Sequence, residues 1–166
     1  MPSMGALGIL FVGSDQDMAY WPSSKALGLT KDITDTCTFS LALDDSDILN
    51  GCLRYVKGSG VTKTLRPHVP LCSDRDEGHA VTVQVNEEEE EVCYAPAKRG
   101  SVTIHDEYVV HGSAGNTCAN RQRRTYVLAY RAQPIVEAER RLGFTHSHND
   151  CVNWDDWRPL ESRQEE

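Results

Sequence analysis

The side chains of this chain best suited to metal or acid–base chemistry are its six histidines, His68, His79, His105, His111, His146 and His148, none of which lies in the first 67 residues. An iron site open to reaction commonly takes two histidines and one carboxylate on one face of the metal, leaving the opposite face for other ligands. Two stretches pair a histidine with a carboxylate two residues on. His148-Asn149-Asp150, with His146 on the same side of an extended segment, has spacing that suits zinc or iron, but it follows the main helical segment and reads as a surface tail. His105-Asp106-Glu107 ends four residues before His111 and reads as the turn into the strand carrying His111. Ligands so close in sequence do not easily converge from two strands. His68 and His79 are expected at a loop and a strand edge, with local hydrogen bonds only. The six cysteines are 15 to 33 residues apart with no C-x-x-C pair, which excludes a zinc knuckle and a thioredoxin-type motif and leaves thiols as core filler.

The elements that must position such groups are mostly strands. Residues 36–43 (TCTFSLAL) alternate, with Cys37, Phe39, Leu41 and Leu43 expected on the buried face. Further strands are expected at 52–56 after the Asn50-Gly51 turn, at 79–85, at 101–104, at 108–110 leading into His111, and at 125–130. Glu87–Glu91 is expected to be a solvated loop tip. Only 134–142 (PIVEAERRL) has helical spacing, with Gly143 placed to end it. Short strands divided by Gly, Asp and Asn turns imply an all-β chain with minor α, in one domain over 1–166 with a core at 15–131 and a helix and tail at 132–166.

Composition excludes several functions. Lys and Arg total 17 against 25 Asp and Glu, a net charge of −8, which argues against a nucleic-acid partner. Hydrophobic content is 39 % and no apolar run approaches the roughly 18 residues of a membrane span. Ala6–Val12 is apolar but lacks the preceding basic residues of a signal peptide. With thiols expected to be reduced, the expected location is the cytoplasm.

Three segments together carry a resemblance. Asp15–Pro22 (DQDMAYWP) resembles an HQD-x-x-YW motif, 41–59 (LALDDSDILNGCLRYVKGS) an LDD…NGCL…PGSH strand–turn–strand, and 100–130, with HGSAGN and RQRRTYVLAY, a closing GD…HGS…N…R section. In that order and spacing, over about 15–131, the chain resembles the phytanoyl-CoA dioxygenase family. The resemblance implies a double-stranded β-helix (jelly-roll, cupin-like) and an Fe(II)- and 2-oxoglutarate-dependent oxygenase that hydroxylates a small or lipid-like molecule, with ascorbate a further candidate cofactor. It implies that Asp17 and His111 ligate the metal and that Arg123 grips the far carboxylate of 2-oxoglutarate, aided by Thr125, with Gln16 and Ser113 beside the co-substrate. A guanidinium suits that task because it meets a carboxylate with two parallel charge-assisted hydrogen bonds. Arg121 and Arg124 compete for the role.

The chain departs from the pattern at Asp15, where the family places its first metal histidine. Asp15 as an oxygen ligand would give one imidazole and two carboxylates, a harder set that favours Mg, Ca or Mn relative to iron. Gly60 stands where the family has a histidine after Gly-Ser, and only 14 residues precede Asp15, which implies a truncated, incomplete barrel. The alternative to an active oxygenase is therefore an impaired or inactive member acting as a binding protein. A third reading is a redox-silent enzyme with a hard cation on Asp15, Asp17 and His111. Tyr20 and Trp21 are expected to pack beneath the barrel mouth. Substrate and oligomeric state stay open.

Overall fold

A computed structural model describes residues 13–22, 27–29, 36–70 and 81–143. Nine strands and one helix follow in order: β1 (Gly13–Asp15), β2 (Cys37–Ala42), β3 (Leu53–Val56), β4 (His68–Pro70), β5 (Val81–Val83), β6 (Val92–Ala95), β7 (Val102–Asp106), β8 (His111–Ser113), β9 (Thr125–Tyr130) and α1 (Gln133–Arg141), with a 3-10 turn at Asp17–Tyr20. Strands pair antiparallel throughout, in sheets ordered β1-β8-β3-β6, β7-β2-β9 and β4-β5. This mostly antiparallel β architecture with one helix is a jelly-roll, as the sequence implies. The described residues fall into two compact units, 13–19 with 36–70 and 81–130, and 20–22 with 27–29 and 131–143.

Strand β2 forms where its alternation predicts, but its faces are reversed. Thr38, Ser40 and Ala42 are buried, while Cys37, Phe39 and Leu41 are only half-buried and Leu43 is exposed. The outer face of the three-stranded sheet carries the apolar side chains: Phe39 meets Tyr130 edge to face at 5.4 Å, and Ile104, paired with Phe39, is 58 % exposed. Hydroxyls point inward because the space they enclose holds carboxylates and imidazoles. The apolar core of this unit is elsewhere, where Val56, Val83 and Val110 pack with Val85 and Val92.

Residues 107–109 turn rather than extend, so the strand expected at 108–110 begins instead at His111. Asp106 caps that turn, accepting the Tyr108 N–H at 2.9 Å, and Ser59 Oγ accepts the Val110 N–H at 2.9 Å. A side chain at 60, where the resemblance places a histidine, would bring its Cβ within 2.7 Å of Val109 Cγ2. The glutamate run is not simply solvated. Glu87, Glu90 and Glu91 pair with Arg54, Arg66 and Lys57, clipping the 86–91 turn to neighbouring chain, although solvent screening keeps such pairs weak. Of the cysteines, Cys52 is buried, Cys37 and Cys118 are partly so, and Cys93 is exposed, so the thiols are not uniformly core filler; Cys72 and Cys151 lie outside the described residues.

In the second unit, α1 has Pro134 in its first turn and ends at Gly143 with φ +70°. Its buried Ile135 and Ala138 pack on Leu27, Leu29 and Ala132, whereas Leu142, beyond the helix's last turn, is 64 % exposed. Arg131 pairs with the buried Glu139 at 3.1 Å and lies 4.4 Å over the Trp21 ring. Trp21 thus stacks on a guanidinium within this unit. Among the described residues, no helix is long and apolar enough to cross a membrane.

Candidate metal centre

Two sheets contribute facing rows of side chains. In the four-stranded sheet, Asp15 of β1 and Tyr55 of β3 are both direct partners of His111 in β8, so the three share one face. Asp17 follows β1 at the start of the 3-10 turn. In the three-stranded sheet, His105 of β7 pairs with Thr38 of β2, and both are buried.

The rows meet around Asp17. Its Oδ2 lies 3.3 Å from His105 Nε2, and its Oδ1 lies 3.7 Å from His111 Nε2. Asp15 Oδ1 is also 3.7 Å from His111 Nε2. The His105 and His111 rings have centroids 4.1 Å apart. Asp17, His105 and His111 each offer a donor atom, all within 4.8 Å of one another, and this is the one such group of three among the described residues. Asp15 stands beside it.

The outer atoms of both rings are engaged. His111 Nδ1 lies 3.0 Å from the Val109 carbonyl, to which it donates as Nδ1–H, leaving the Nε2 lone pair to face Asp17. His105 Nδ1 meets the Tyr55 hydroxyl at 3.3 Å. His105 Nε2 is buried and finds no hydrogen bond of good geometry. Burial opposes the charge on Asp17, but contact with His105, the field of His111 and the Thr38 hydroxyl together hold its carboxyl below the ordinary carboxylate range. Asp17 is thus a carboxylate near neutrality. An ionised carboxylate with two Nε2 atoms aimed at it is a donor set that fits a first-row divalent metal such as iron.

A small cavity lies along the same interior, with Ser40, Thr103, Arg123 and Thr125 in its polar lining and Ala42, Leu53, Ala95 and Ala97 also lining it. Arg123 donates from Nη2 to Ser113 Oγ at 3.2 Å and from Nη1 toward Thr125 Oγ1 at 3.5 Å. It has no carboxylate partner among the described residues. Its competitors are committed: Arg121 holds Asp47 with two hydrogen bonds at 2.6 and 3.1 Å, and Arg124 holds Asp44 at 2.8 and 2.7 Å.

His105, expected in the turn before His111, lies within β7, and the 107–110 segment carries the chain across to the other sheet so that two rings six positions apart face each other. The available signal was the alternation in 102–105 (VTIH), which puts Thr103 and His105 on one face and Val102 and Ile104 on the other. Gln16, expected beside the co-substrate, is fully buried with its amide spent on backbone: Nε2 donates to the Thr64 carbonyl at 3.0 Å and to Tyr108, and Oε1 accepts the Arg66 N–H at 2.8 Å. It is a brace between three loops. Gln16→Ala should lower unfolding free energy by about 2 kcal/mol through the partners left unmet, read as a lower denaturant midpoint with unchanged slope. His68, expected in a loop, instead opens β4; its Nδ1 meets the nearby Arg66 carbonyl at 2.7 Å, and its Nε2 accepts the distant Gln16 backbone N–H at 3.1 Å. His79, His146, His148 and Asp150 lie outside the described residues.

Residues 5–125 match the family described as Phytanoyl-CoA dioxygenase (PhyH). Solved structures share the fold. A non-heme monooxygenase, ThoJ in its apo form, is 19 % identical with a TM-score of 0.54, over 73 % of this chain and 40 % of that one. EvdO2 from Micromonospora carbonacea var. aurantiaca is 23 % identical with a TM-score of 0.54, over 73 % and 47 %. EctD from S. alaskensis, in its apoform, is 19 % identical with a TM-score of 0.51, over 74 % and 39 %. The chain therefore spans under half the length of these proteins. A comparison with curated proteins finds no match. The family match takes in Asp15, Asp17, His111 and Arg123 and more than half of the sequence, and the chain belongs to the phytanoyl-CoA dioxygenase family.

Proposed function

We propose that the chain carries the metal and co-substrate sites of an Fe(II)- and 2-oxoglutarate-dependent oxygenase acting on a small molecule. The observation that carries this reading is the pairing of a carboxylate–imidazole cluster with an arginine that has no acidic partner among the described residues, in one polar interior. Asp17 and His111 hold the metal. Iron, when bound there, supplies the redox chemistry that couples decarboxylation of 2-oxoglutarate to oxidation of the substrate.

Arg123 binds the far carboxylate of 2-oxoglutarate, with the Ser113 and Thr125 hydroxyls setting the guanidinium plane. Ser113 is two residues beyond His111 in β8 and so on the same face, about 7 Å along the strand. A five-carbon dicarboxylate bridges that distance with its other end at the metal. EvdO2, which shares this fold, has been solved in complex with 2-oxoglutarate, which agrees with the reading.

Anaerobic titration with Fe(II) and 2-oxoglutarate tests it. A weak visible charge-transfer band should appear, saturate with 2-oxoglutarate and vanish in His111→Ala. A chain that binds Fe(II) without developing the band contradicts the proposal. The alternative, a binding protein of impaired activity that holds metal weakly, is favoured by Asp15 in place of the first histidine, and predicts no band in this chain but a band on Asp15→His.

A further inference from the structure

We propose that His105 from β7 supplies the imidazole missing at position 15, so that Asp17, His105 and His111 form the metal-binding triad. This rests on the proposed oxygenase reading for the identity of the metal, but its geometry stands independently. Cis donors around an octahedral ion with bonds of about 2.1 Å lie about 3 Å apart. His105 Nε2 and Asp17 Oδ2 are already 3.3 Å apart, and His111 Nε2 and Asp17 Oδ1 3.7 Å. The three groups close without rebuilding either sheet.

Burial makes the same assignment. The His105 side chain is 4 % exposed, and its Nε2 has no hydrogen bond of good geometry. A buried polar nitrogen left in that state is costly, and coordination relieves it. The Tyr55 hydroxyl lies 3.3 Å from His105 Nδ1. With the hydroxyl oxygen accepting Nδ1–H, Nε2 is left free toward Asp17, the arrangement that the Val109 carbonyl imposes on His111.

The chemistry of the donors separates this triad from the one with Asp15. Asp15, Asp17 and His111 would surround a divalent ion with two charges and one nitrogen, which suits hard cations. Asp17, His105 and His111 give two imidazoles and one carboxylate, the set matched to Fe(II) with open positions. The histidine has in effect moved from β1 to the facing sheet, and the donor count is unchanged.

Co(II) binding to the full chain provides the test, independently of turnover. In the wild-type protein, two exchangeable, hyperfine-shifted imidazole N–H resonances should appear, from His105 and His111; a single one overturns the assignment. His105→Ala should weaken Co(II) binding by at least about 100-fold, and Asp15→Asn by no more than about threefold. The reverse order, or no Co(II) binding by the wild type, also overturns it. The resonance count uses unmutated protein and stands even if His105→Ala fails to fold. Two resonances without any Fe(II)–2-oxoglutarate band would keep the triad and remove the oxygenase reading; the band with one resonance would do the opposite.

Discussion

Arg123→Leu should reduce affinity for 2-oxoglutarate by about 100-fold or more, the cost of leaving a carboxylate without its charge-assisted pair in a part-buried site. Titration of the Fe(II) protein, followed by the visible band or by calorimetry, measures it. The comparison variants give the prediction its edge. Arg121→Leu and Arg124→Leu remove guanidiniums already bound to Asp47 and Asp44, on groups largely open to solvent, and should leave 2-oxoglutarate affinity within about threefold. Arg123→Lys keeps the charge but loses the planar fork, and should fall between. A large loss in either comparison variant, with Arg123→Leu unaffected, would transfer the role.

The largest expected effect on stability is at Gly51. This residue is buried with φ +81°, and a Cβ there would sit 2.3 Å from the backbone oxygen of Ala114. Left-handed backbone costs an alanine about 1 kcal/mol or more, and displacing a backbone carbonyl adds a further 2–3. Gly51→Ala is expected to lose about 3–4 kcal/mol, a fall in Tm of about 10 °C for a chain of this size. Gly58 is the control: φ is +76° but nothing lies within 4 Å of its Cβ position, so Gly58→Ala should cost only about 1 kcal/mol. The effect of Gly51→Ala should also reach co-substrate binding. The preceding Asn50 donates to the Gln122 carbonyl at 3.3 Å, beside Arg123, and Leu49 accepts the Thr117 N–H at 3.0 Å. A shift at 51 therefore disturbs the segment that carries the arginine.

These two residues illustrate what could be read before the fold was known. The Asn50-Gly51 turn and β9 over 125–130 are legible because a turn dipeptide and a six-residue alternation are strong local signals. Strands β1, β4 and β6 are three or four residues long, too short for a period to emerge, and they exist through their partners. Strand β2 was legible in position and not in orientation. Alternation identifies two faces, and the usual rule sends the apolar one inward; here the enclosed space is polar and Thr38 and Ser40 take it. Asp17 and His111 were accessible through resemblance. His105 was not, because distance along the chain was a poor guide once the chain crossed from one sheet to the other between positions 106 and 111.

The hydroxyl-lined interior has a thermodynamic side. In an ordinary domain, opening the space between two sheets releases apolar surface to water, and that surface makes the heat capacity of unfolding large and positive. Polar surface acts with the opposite sign. Here the groups that would be wetted include Thr38, Ser40, Thr103 and Thr125, while large hydrophobic residues on the outer face, Ile104 and Tyr126 among them, meet solvent already in the folded state. The curve of stability against temperature should accordingly be shallower than for a sandwich with a wholly apolar interior. A ligand that binds the native state alone adds directly to its stability as occupancy rises.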